Sequence, residues 1–246
     1  MKVIAFVNQK GGVAKTTTAL NVGAGLARHG YKVLLIDTDP QGSLTKALAV
    51  DTRENEKTLF EVMTGKVDAL EAVLHINGGY DLIPGDTRLA NIKEGTNHLK
   101  TAIASIKRQY DYILIDSSPY IGVTTVNAMV ACNEIYVPMK PDYLCVMGLN
   151  QLMQAVRMVR RIHPQLKVTG VIMTMYNGRR RLANAIEEDL HNHYGKELFA
   201  TRIRENVALA EAPTAGQDVF EYSPRSNGAK DYGALVKEII ERNERK

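Results

Sequence analysis

A chain of 246 residues with 31 lysines and arginines against 27 aspartates and glutamates has a formal net charge of +4, which does not by itself indicate a nucleic-acid partner. The length suits one large α/β domain or two small ones. Because no linker, low-complexity run or internal repeat divides the sequence, we predict one domain over residues 1–246. Cys132 and Cys145 form no C-x-x-C pair, which disfavours disulfide or metal roles.

The first residues show no secretory or membrane-spanning pattern. A strand-like run starts at Lys2, and no apolar run approaches the roughly 18 residues of a membrane span. We therefore expect a cytoplasmic protein without a membrane partner, and no helix-turn-helix domain ahead of the first strand.

Residues 3–18, VIAFVNQKGGVAKTTT, combine an apolar strand, a glycine turn and a lysine followed by three hydroxyl residues. Backbone N–H groups in such a turn can point at a phosphate, and the following helix adds its positive N-terminal end. Lys15 supplies a positive charge, and Thr16 has a hydroxyl suited to Mg²⁺. The segment predicts a site for a triphosphate, with an ordinary tight turn as the alternative.

This segment departs from the pattern G-x-x-x-x-G-K-[ST], because Gln9 and Ala14 replace its first and last glycines. The remaining K-G-G-x-x-K-T, with Lys10 as an additional lysine, resembles the deviant Walker A of the ParA/MinD ATPases. That resemblance implies that Lys10 reaches across a dimer to the partner's nucleotide. The predicted nucleotide contacts of the segment are Lys10, Gly11, Gly12, Val13, Ala14, Lys15, Thr16 and Thr17.

Two aspartates follow further strand-like runs. Residues 32–37, KVLLID, open into DTDPQGS, and residues 112–116 read YILID. Ligands of open α/β sheets lie at the carboxyl ends of the strands, so Asp39 and Asp116 are expected near the phosphates. Asp116 has the Walker B form, which predicts a place beside Mg²⁺. A turn capped by Asp39 is the alternative interpretation of DTDPQGS.

In the resembling family, the second aspartate of the D-x-D-P-Q segment positions the attacking water. The resemblance thus assigns this role to Asp39, with Thr16, Asp39 and Asp116 as the metal set. The predicted catalytic residues are Lys10, Lys15 and Asp39.

Strand-like and helix-like patterns alternate along the chain, which is typical of α/β proteins. The resemblance implies a doubly wound, mostly parallel sheet of seven or eight strands flanked by helices, the fold of P-loop NTPases. After the strand that starts at Val3, the predicted strands are 32–37, 80–84, 112–116, 134–138, 168–174 and 198–203. The predicted helical segments are 15–29, 51–75, 99–110, 124–131, 143–161 and 229–242.

Two residues are candidates for the adenine site. Asn177 stands where MinD-like proteins place an asparagine on the ring, and an Asn-Gly turn is an equal alternative. Arg204 replaces a proline that borders the adenine in the family's I-P-R-N-V-R-L-S-E-A-P segment. Because no N-K-x-D guanine signature occurs, the sequence favours ATP over GTP.

The resemblance is strongest to chromosomal-type ParA, or Soj-like, ATPases and covers almost the whole chain. It implies a DNA-partitioning ATPase of the nucleoid, weak alone, whose ATP-bound sandwich dimer binds DNA non-specifically until a ParB-type partner stimulates hydrolysis. Glu205 and Ala208 replace arginines of that family segment. Candidate DNA contacts are therefore Arg157, Arg160, Arg161, Arg179, Arg180, Arg181, Arg202 and Arg204.

Two other classes stay open. A membrane-cycling MinD-like protein would need a C-terminal amphipathic helix with free apolar residues, and residues 241–246 read ERNERK. A P-loop metabolic enzyme, of the amidoligase or iron-protein kind, would need substrate or cluster ligands that the two cysteines do not supply.

Overall fold

Seven strands form one sheet in the computed structural model, which describes residues 1–53 and 57–244. In chain order they are β1 (Lys2–Phe6), β2 (Val33–Asp37), β3 (Leu74–Ile76), β4 (Tyr80–Ile83), β5 (Tyr112–Asp116), β6 (Glu134–Met139) and β7 (Lys167–Met173).

The strand order across the sheet is β3-β4-β2-β5-β1-β6-β7, and every neighbouring pair is parallel except β3 with β4. The central strands β2 and β5 are buried along their whole length. Burial on both faces explains their continuous apolar runs, since helices cover both sides of a parallel sheet. The prediction of a doubly wound, mostly parallel sheet is confirmed, with seven strands.

Ten α-helices occur in the described residues: α1 (Lys15–Arg28), α2 (Ser43–Ala47), α3 (Leu59–Met63), α4 (His98–Ala102), α5 (Val123–Ala131), α6 (Tyr143–Val159), α7 (Arg181–Tyr194), α8 (Ala208–Glu211), α9 (Val219–Tyr222) and α10 (Asn227–Glu244). Short 3-10 helices occur at Ala69–Ala72, Thr87–Asn91, Lys107–Gln109 and Ala212–Ala215. Within this part of the chain, no helix is long and apolar enough to cross a bilayer.

The helices form two layers, each with its own core. One layer contains α1, α9 and α10, and the other contains α4, α5, α6 and α7. Gly25 allows α1 to approach α10 closely, because a Cβ there would lie 2.6 Å from Cγ2 of Val236. This contact fixes α10 directly behind the helix that follows the first strand.

Strand register places three chain segments at one edge of the sheet. Phe6 pairs with Asp116, and Asp37 pairs with the same residue from the other side. The loops that follow β1, β2 and β5 therefore emerge side by side at the carboxyl edge, where ligands of such sheets lie.

The predicted strand at residues 198–203 is wrong. The segment pairs with β7 and the residues after it through isolated bridges, Val171 with Leu198 and Tyr176 with Arg204, and does not form a continuous strand. The N–H groups of Ala200 and Thr201 donate instead to the Glu238 side chain on α10. The apolar pattern of the segment reflects burial rather than strand pairing.

Three predicted helices are also wrong in part. Residues 99–110 form α4 and a separate 3-10 turn, and residues 51–75 contain α3, a 3-10 turn and the start of β3. Helix α6 ends at Val159, two residues before its predicted end. Residues 54–56 of one predicted helical segment, and residues 245–246 of the ERNERK end, lie outside the described residues.

Candidate functional site

The loop between β1 and α1 turns through two left-handed residues. Gly12 has φ 69°, and Ala14, at the N-cap of α1, has φ 62°. Glycine adopts this conformation freely, whereas alanine pays a conformational cost there. The structure thus retains the turn at the position where the phosphate-loop pattern has its last glycine.

Lys15 begins α1 and is 7% exposed. Its Nζ donates a hydrogen bond to the carbonyl oxygen of Lys10 at 3.1 Å. Burial lowers the pKa of Lys15, although the negative charges of Asp116 and Asp39 oppose the shift. A buried ammonium beside two carboxylates is well placed to bind an anionic ligand.

Thr16 and Asp116 form a corner suited to a metal ion. Thr16 Oγ1 donates to Asp116 Oδ2 at 2.7 Å, and Asp116 Oδ1 is buried without a hydrogen-bond partner in the described part of the chain. Burial, followed by the charge of Asp37, raises the pKa of Asp116 to about 8. A hydroxyl and an unpartnered carboxylate oxygen are ligands that Mg²⁺ prefers, so these residues fit that ion.

Asp37 holds the loop that carries Asp39. Its Oδ1 accepts the N–H of Asp39 at 3.1 Å, and its Oδ2 accepts the N–H and hydroxyl of Thr45 at 2.9 and 2.7 Å. Burial raises the pKa of Asp37 to about 6. This aspartate was not predicted as a site residue, although it is the first acid of the D-x-D pattern.

Asp39 itself is 6% exposed, and its Oδ1 accepts the N–H of Gln41 at 2.9 Å. The structure therefore places it both as the cap of a turn and within the group that includes Lys15. That Asp39 orients the attacking water stays a prediction.

Lys10 precedes the two glycines of the loop, and its Nζ contacts both carboxylate oxygens of Asp142 at 2.9 and 3.0 Å. Asp142 caps α6 by accepting the N–H of Cys145 at 2.9 Å. The hydrogen bond from the ammonium to Asp142 raises the pKa of Lys10. Lys10 is thus paired within its own subunit.

A cavity of about 330 Å³ lies beside the phosphate loop, between α1, α10 and the segment after Ile203. Its size lies at the lower end of typical ligand pockets. Its lining residues are Ala14, Thr17, Thr174, Met175, Ile203, Arg204, Glu205, Asn206, Val207, Leu209, Ala210 and Tyr232. A larger groove of about 770 Å³, between α3 and α4, contains none of the predicted site residues.

Asn177 is not among the residues that line this cavity. Its Oδ1 accepts the N–H of Arg179 at 3.1 Å, which is the turn that the alternative interpretation expected. Arg204 does line the cavity, together with Met175, Asn206 and Tyr232, which sequence reasoning missed. Met175 follows a predicted strand, but no local pattern shows that α10 brings Tyr232 to the same place.

The eight candidate arginines do not form one patch. Arg157 is exposed near the end of α6, which leads into the amino end of β7, whereas Arg181 begins α7, beyond the carboxyl end of the same strand. The predicted common face of Arg157, Arg160 and Arg161 is broken, because Arg160 lies at the helix end and its Nε donates to Leu166 O at 2.8 Å.

Two further candidates are held in ion pairs. Arg202 pairs with Glu187 and lies over the Tyr176 ring, while Arg204 pairs with Asp231. The exposed run Arg179, Arg180 and Arg181 has no side-chain ion pair within the described residues.

Known proteins match this chain over nearly its whole length. A family model described as an AAA domain matches residues 1–168. The chromosome partitioning protein ParA of Caulobacter vibrioides is 36% identical to this chain, and the alignment covers 98% of this chain and 95% of the relative's chain. The sporulation initiation inhibitor protein Soj of Bacillus subtilis is also 36% identical, and its alignment covers 97% of this chain and 98% of the relative's chain.

A solved structure shares the fold. Cobyrinic acid a,c-diamide synthase from Mycobacterium smegmatis, with bound ADP and magnesium, has a TM-score of 0.85 and 30% identity, over 99% of this chain and 96% of that one. The same family is indicated by the P-loop architecture, by the deviant phosphate loop and by the ParA and Soj relatives, which match over nearly their full length. The chain belongs to the ParA/Soj family of partitioning ATPases.

Proposed function

We propose that this chain partitions DNA through an ATP-dependent cycle: an ATP-bound homodimer binds DNA non-specifically, and a ParB-type partner stimulates hydrolysis and release. ATP and Mg²⁺ are its cofactors, as the solved relative with ADP and magnesium supports. The observation that carries the proposal is the group of Lys15, Thr16 and Asp116: the buried ammonium interacts electrostatically with Asp116, whose Oδ1 has no hydrogen-bond partner among the residues that the structure describes. We propose that residues 1–246 act as one ATPase domain.

Phosphoryl transfer to water requires positioning and charge neutralisation more than covalent chemistry. Lys15 and the loop N–H groups of residues 11–13 bind the phosphates. Thr16 and Asp116, with Asp39 nearby, would hold Mg²⁺, which when bound would supply positive charge to the phosphate oxygens. Asp39 orients the attacking water, in a loop position that Asp37 fixes through the N–H of Asp39.

Lys10 completes this set from the partner subunit in the proposed dimer. The lysine lies at the carboxyl edge of the sheet and its side chain is 31% exposed, so a second subunit can reach it. Tyr143 and Leu144, which follow Asp142 in the chain, and Tyr120, in the loop after β5, expose 68%, 65% and 76% of their surfaces. Exposed apolar groups of this size favour burial against another protein surface. The slow basal hydrolysis that we propose follows because Lys10 is paired with Asp142 when no partner is present.

DNA contacts in the proposed dimer come first from Arg179, Arg180 and Arg181. These exposed residues precede or begin α7 and have no ion-pair partner among the described residues, whereas Arg202 and Arg204 already face carboxylates. Free cations gain more from phosphate contacts than paired ones, because breaking an ion pair opposes the gain.

A metabolic amide synthase is the competing function, because the solved relative carries that name. The ParA and Soj relatives are more similar, at 36% against 30% identity over a comparable share of the chain. This difference favours partitioning.

Co-sedimentation with duplex DNA and with liposomes tests the proposal. We expect DNA binding that requires Mg²⁺ and ATP, does not depend on sequence and is absent in Lys15→Ala, with no ATP-dependent liposome binding. DNA binding that ignores ATP, or ATP-dependent binding to liposomes alone, contradicts it.

A further inference from the structure

Arg204 and Asp231 form a clamp at the wall of the 330 Å³ cavity. The backbone N–H of Arg204 donates to Asp231 Oδ2 at 3.0 Å, its Nε to the same oxygen at 2.9 Å and its Nη2 to Oδ1 at 2.6 Å. The Asp231 side chain is 10% exposed, and that of Arg204 is 48% exposed. Both carboxylate oxygens are thus engaged by one residue, through charge-assisted bonds.

The helix that carries Asp231 also closes the back of the cavity. Tyr232, the next residue of α10, is buried and lines the cavity, and its hydroxyl lies 3.0 Å from Thr18 Oγ1 on α1. Two consecutive residues of α10 therefore hold different walls: Asp231 holds the segment after Ile203, and Tyr232 contacts the helix that follows the phosphate loop.

Another lining residue of the cavity, Met175, has an unfavourable backbone conformation. Met175 has φ 49°, which is uncommon for a residue other than glycine. Such conformations persist where the surrounding structure imposes them, and they occur preferentially at ligand sites. The clamp and Met175 together define a slot whose walls come from distant parts of the chain.

We propose that Asp231 is a positioning residue for the nucleobase: through Arg204 it holds the wall formed by residues 203–210 against the base of ATP. The phosphates bind elsewhere, on the loop before α1, so the clamp affects the base and not the triphosphate. This inference rests on ATP binding at the site and deepens the proposed function. A proline at position 204 would lack both the N–H and the guanidinium, so the clamp depends on the arginine.

The test compares affinities for Mg²⁺–ATP and for Mg²⁺–tripolyphosphate, which has the phosphates but no base. In Asp231→Asn we expect ATP affinity to fall about tenfold, as the loss of a charge-assisted contact implies, with tripolyphosphate affinity unchanged. Arg204→Ala should show the same loss. Calorimetry or ligand-induced shifts in Tm measure both ligands without DNA or a partner protein.

Glu238→Gln is the matched control. Glu238 lies on the same helix and accepts the N–H groups of Ala200 and Thr201 at 2.9 Å each, but it does not line the cavity. We expect its ratio of ATP to tripolyphosphate affinity to equal that of the wild type. A lower ratio in this variant would mean that any α10 anchor has the effect, which overturns the specific role of Asp231.

An equal fall for both ligands in Asp231→Asn, or an unchanged affinity for ATP, also overturns the inference. If Asp231→Asn does not fold, Arg204→Ala decides, because removing a half-exposed guanidinium leaves the core intact. The wild-type measurement distinguishes failure of the proposed function from failure of the inference about Asp231. If the wild type binds no ATP, both are contradicted; if it binds ATP and the Asp231 variant binds it equally well, only the inference is contradicted.

Discussion

Lys10 and Asp142 are joined by two contacts of 2.9 and 3.0 Å, within one subunit and across the mouth of the phosphate loop. The proposed function requires Lys10 to reach the nucleotide of a partner subunit. The ion pair and the dimer therefore compete for one ammonium. Because the two side chains are 31% and 29% exposed, the pair contributes only about 0.2–1 kcal/mol, which a dimer contact can replace.

Asp142→Asn should shift the chain toward the ATP-bound dimer. Asparagine caps helices about as well as aspartate, so this variant removes the ion pair and retains the cap on Cys145 N. Each of the two subunits loses one pair of about 1 kcal/mol or less, so the dimerisation constant should rise by up to about thirtyfold, measured by sedimentation velocity with Mg²⁺–ATP. Loss of the dimer would show instead that Asp142 is required after Lys10 has moved.

Asp142→Ala is the control for that variant. It removes both the ion pair and the cap, so the free energy of unfolding should fall by about 1 kcal/mol more than in Asp142→Asn. Urea titration of the nucleotide-free proteins measures the difference.

The two lysines of the loop should separate in function. Lys15 is buried beside Asp116 and Asp39, so Lys15→Ala should abolish ATP binding. Lys10→Ala should retain monomer binding and lose ATP-dependent dimerisation, since Lys10 points away to Asp142. Fluorescent nucleotide titration and light scattering measure the two steps. Equal losses of nucleotide affinity would exclude a role for Lys10 in the partner's site.

Gly12→Ala should destabilise the protein through backbone conformation alone. A Cβ at this position meets no atom within 4 Å, but φ is +69°, which costs alanine about 1–2 kcal/mol. Gly11→Ala is the matched control, because a Cβ at Gly11 also meets no atom within 4 Å, while the φ of Gly11 lies outside the left-handed region. We expect the loss only in Gly12→Ala, by urea unfolding without nucleotide. Equal stabilities would show that the loop relaxes to another conformation.

Removing charge from Arg179, Arg180 and Arg181 should weaken ATP-dependent DNA binding. Each lost phosphate contact lowers the log-log salt slope by roughly 0.9 on duplex DNA, whatever the sequence. Arg202→Gln is the control, because the Glu187 ion pair already engages Arg202, and its slope should stay near the wild-type value. Filter binding across a salt series measures both, and a flatter slope for Arg202→Gln alone would reverse the assignment.

The structure brings the residues of the predicted phosphate site together, and the sequence shows this in advance because they are close in the chain or stand at strand ends. Lys15 and Thr16 follow the turn directly, and Asp116 ends an apolar strand, so periodicity and strand-end position locate them. Seven strands were also predicted in number. The predicted strand at residues 198–203 is wrong, whereas β3 was not predicted, because this short antiparallel edge strand, Leu74–Ile76, lies inside a segment with a helical pattern.

The cavity proposed for the base was harder to predict because its walls meet only in the fold. Arg204 and Asp231 are separated by 27 positions, and Met175 contributes through its backbone conformation. Asn177 was a candidate by resemblance, yet its side chain closes a turn with Arg179 N. The pairing of Arg202 with Glu187 likewise depends on how α7 lies beside the segment after it.

A mixed dimer of two inactive variants tests the central claim most directly, namely that Lys10 acts on the partner's nucleotide. Asp39→Ala lacks the residue proposed to orient water, and Lys10→Ala lacks the lysine proposed to act in the partner's site, so each variant alone should hydrolyse ATP very slowly. In the mixture, the Lys10→Ala subunit has its own Asp39 and receives Lys10 from the Asp39→Ala subunit. The account predicts that ATPase activity with DNA and the stimulating partner returns on mixing, from one site per mixed dimer. Activity that stays at the level of the separate variants, although mixed dimers form, would contradict it.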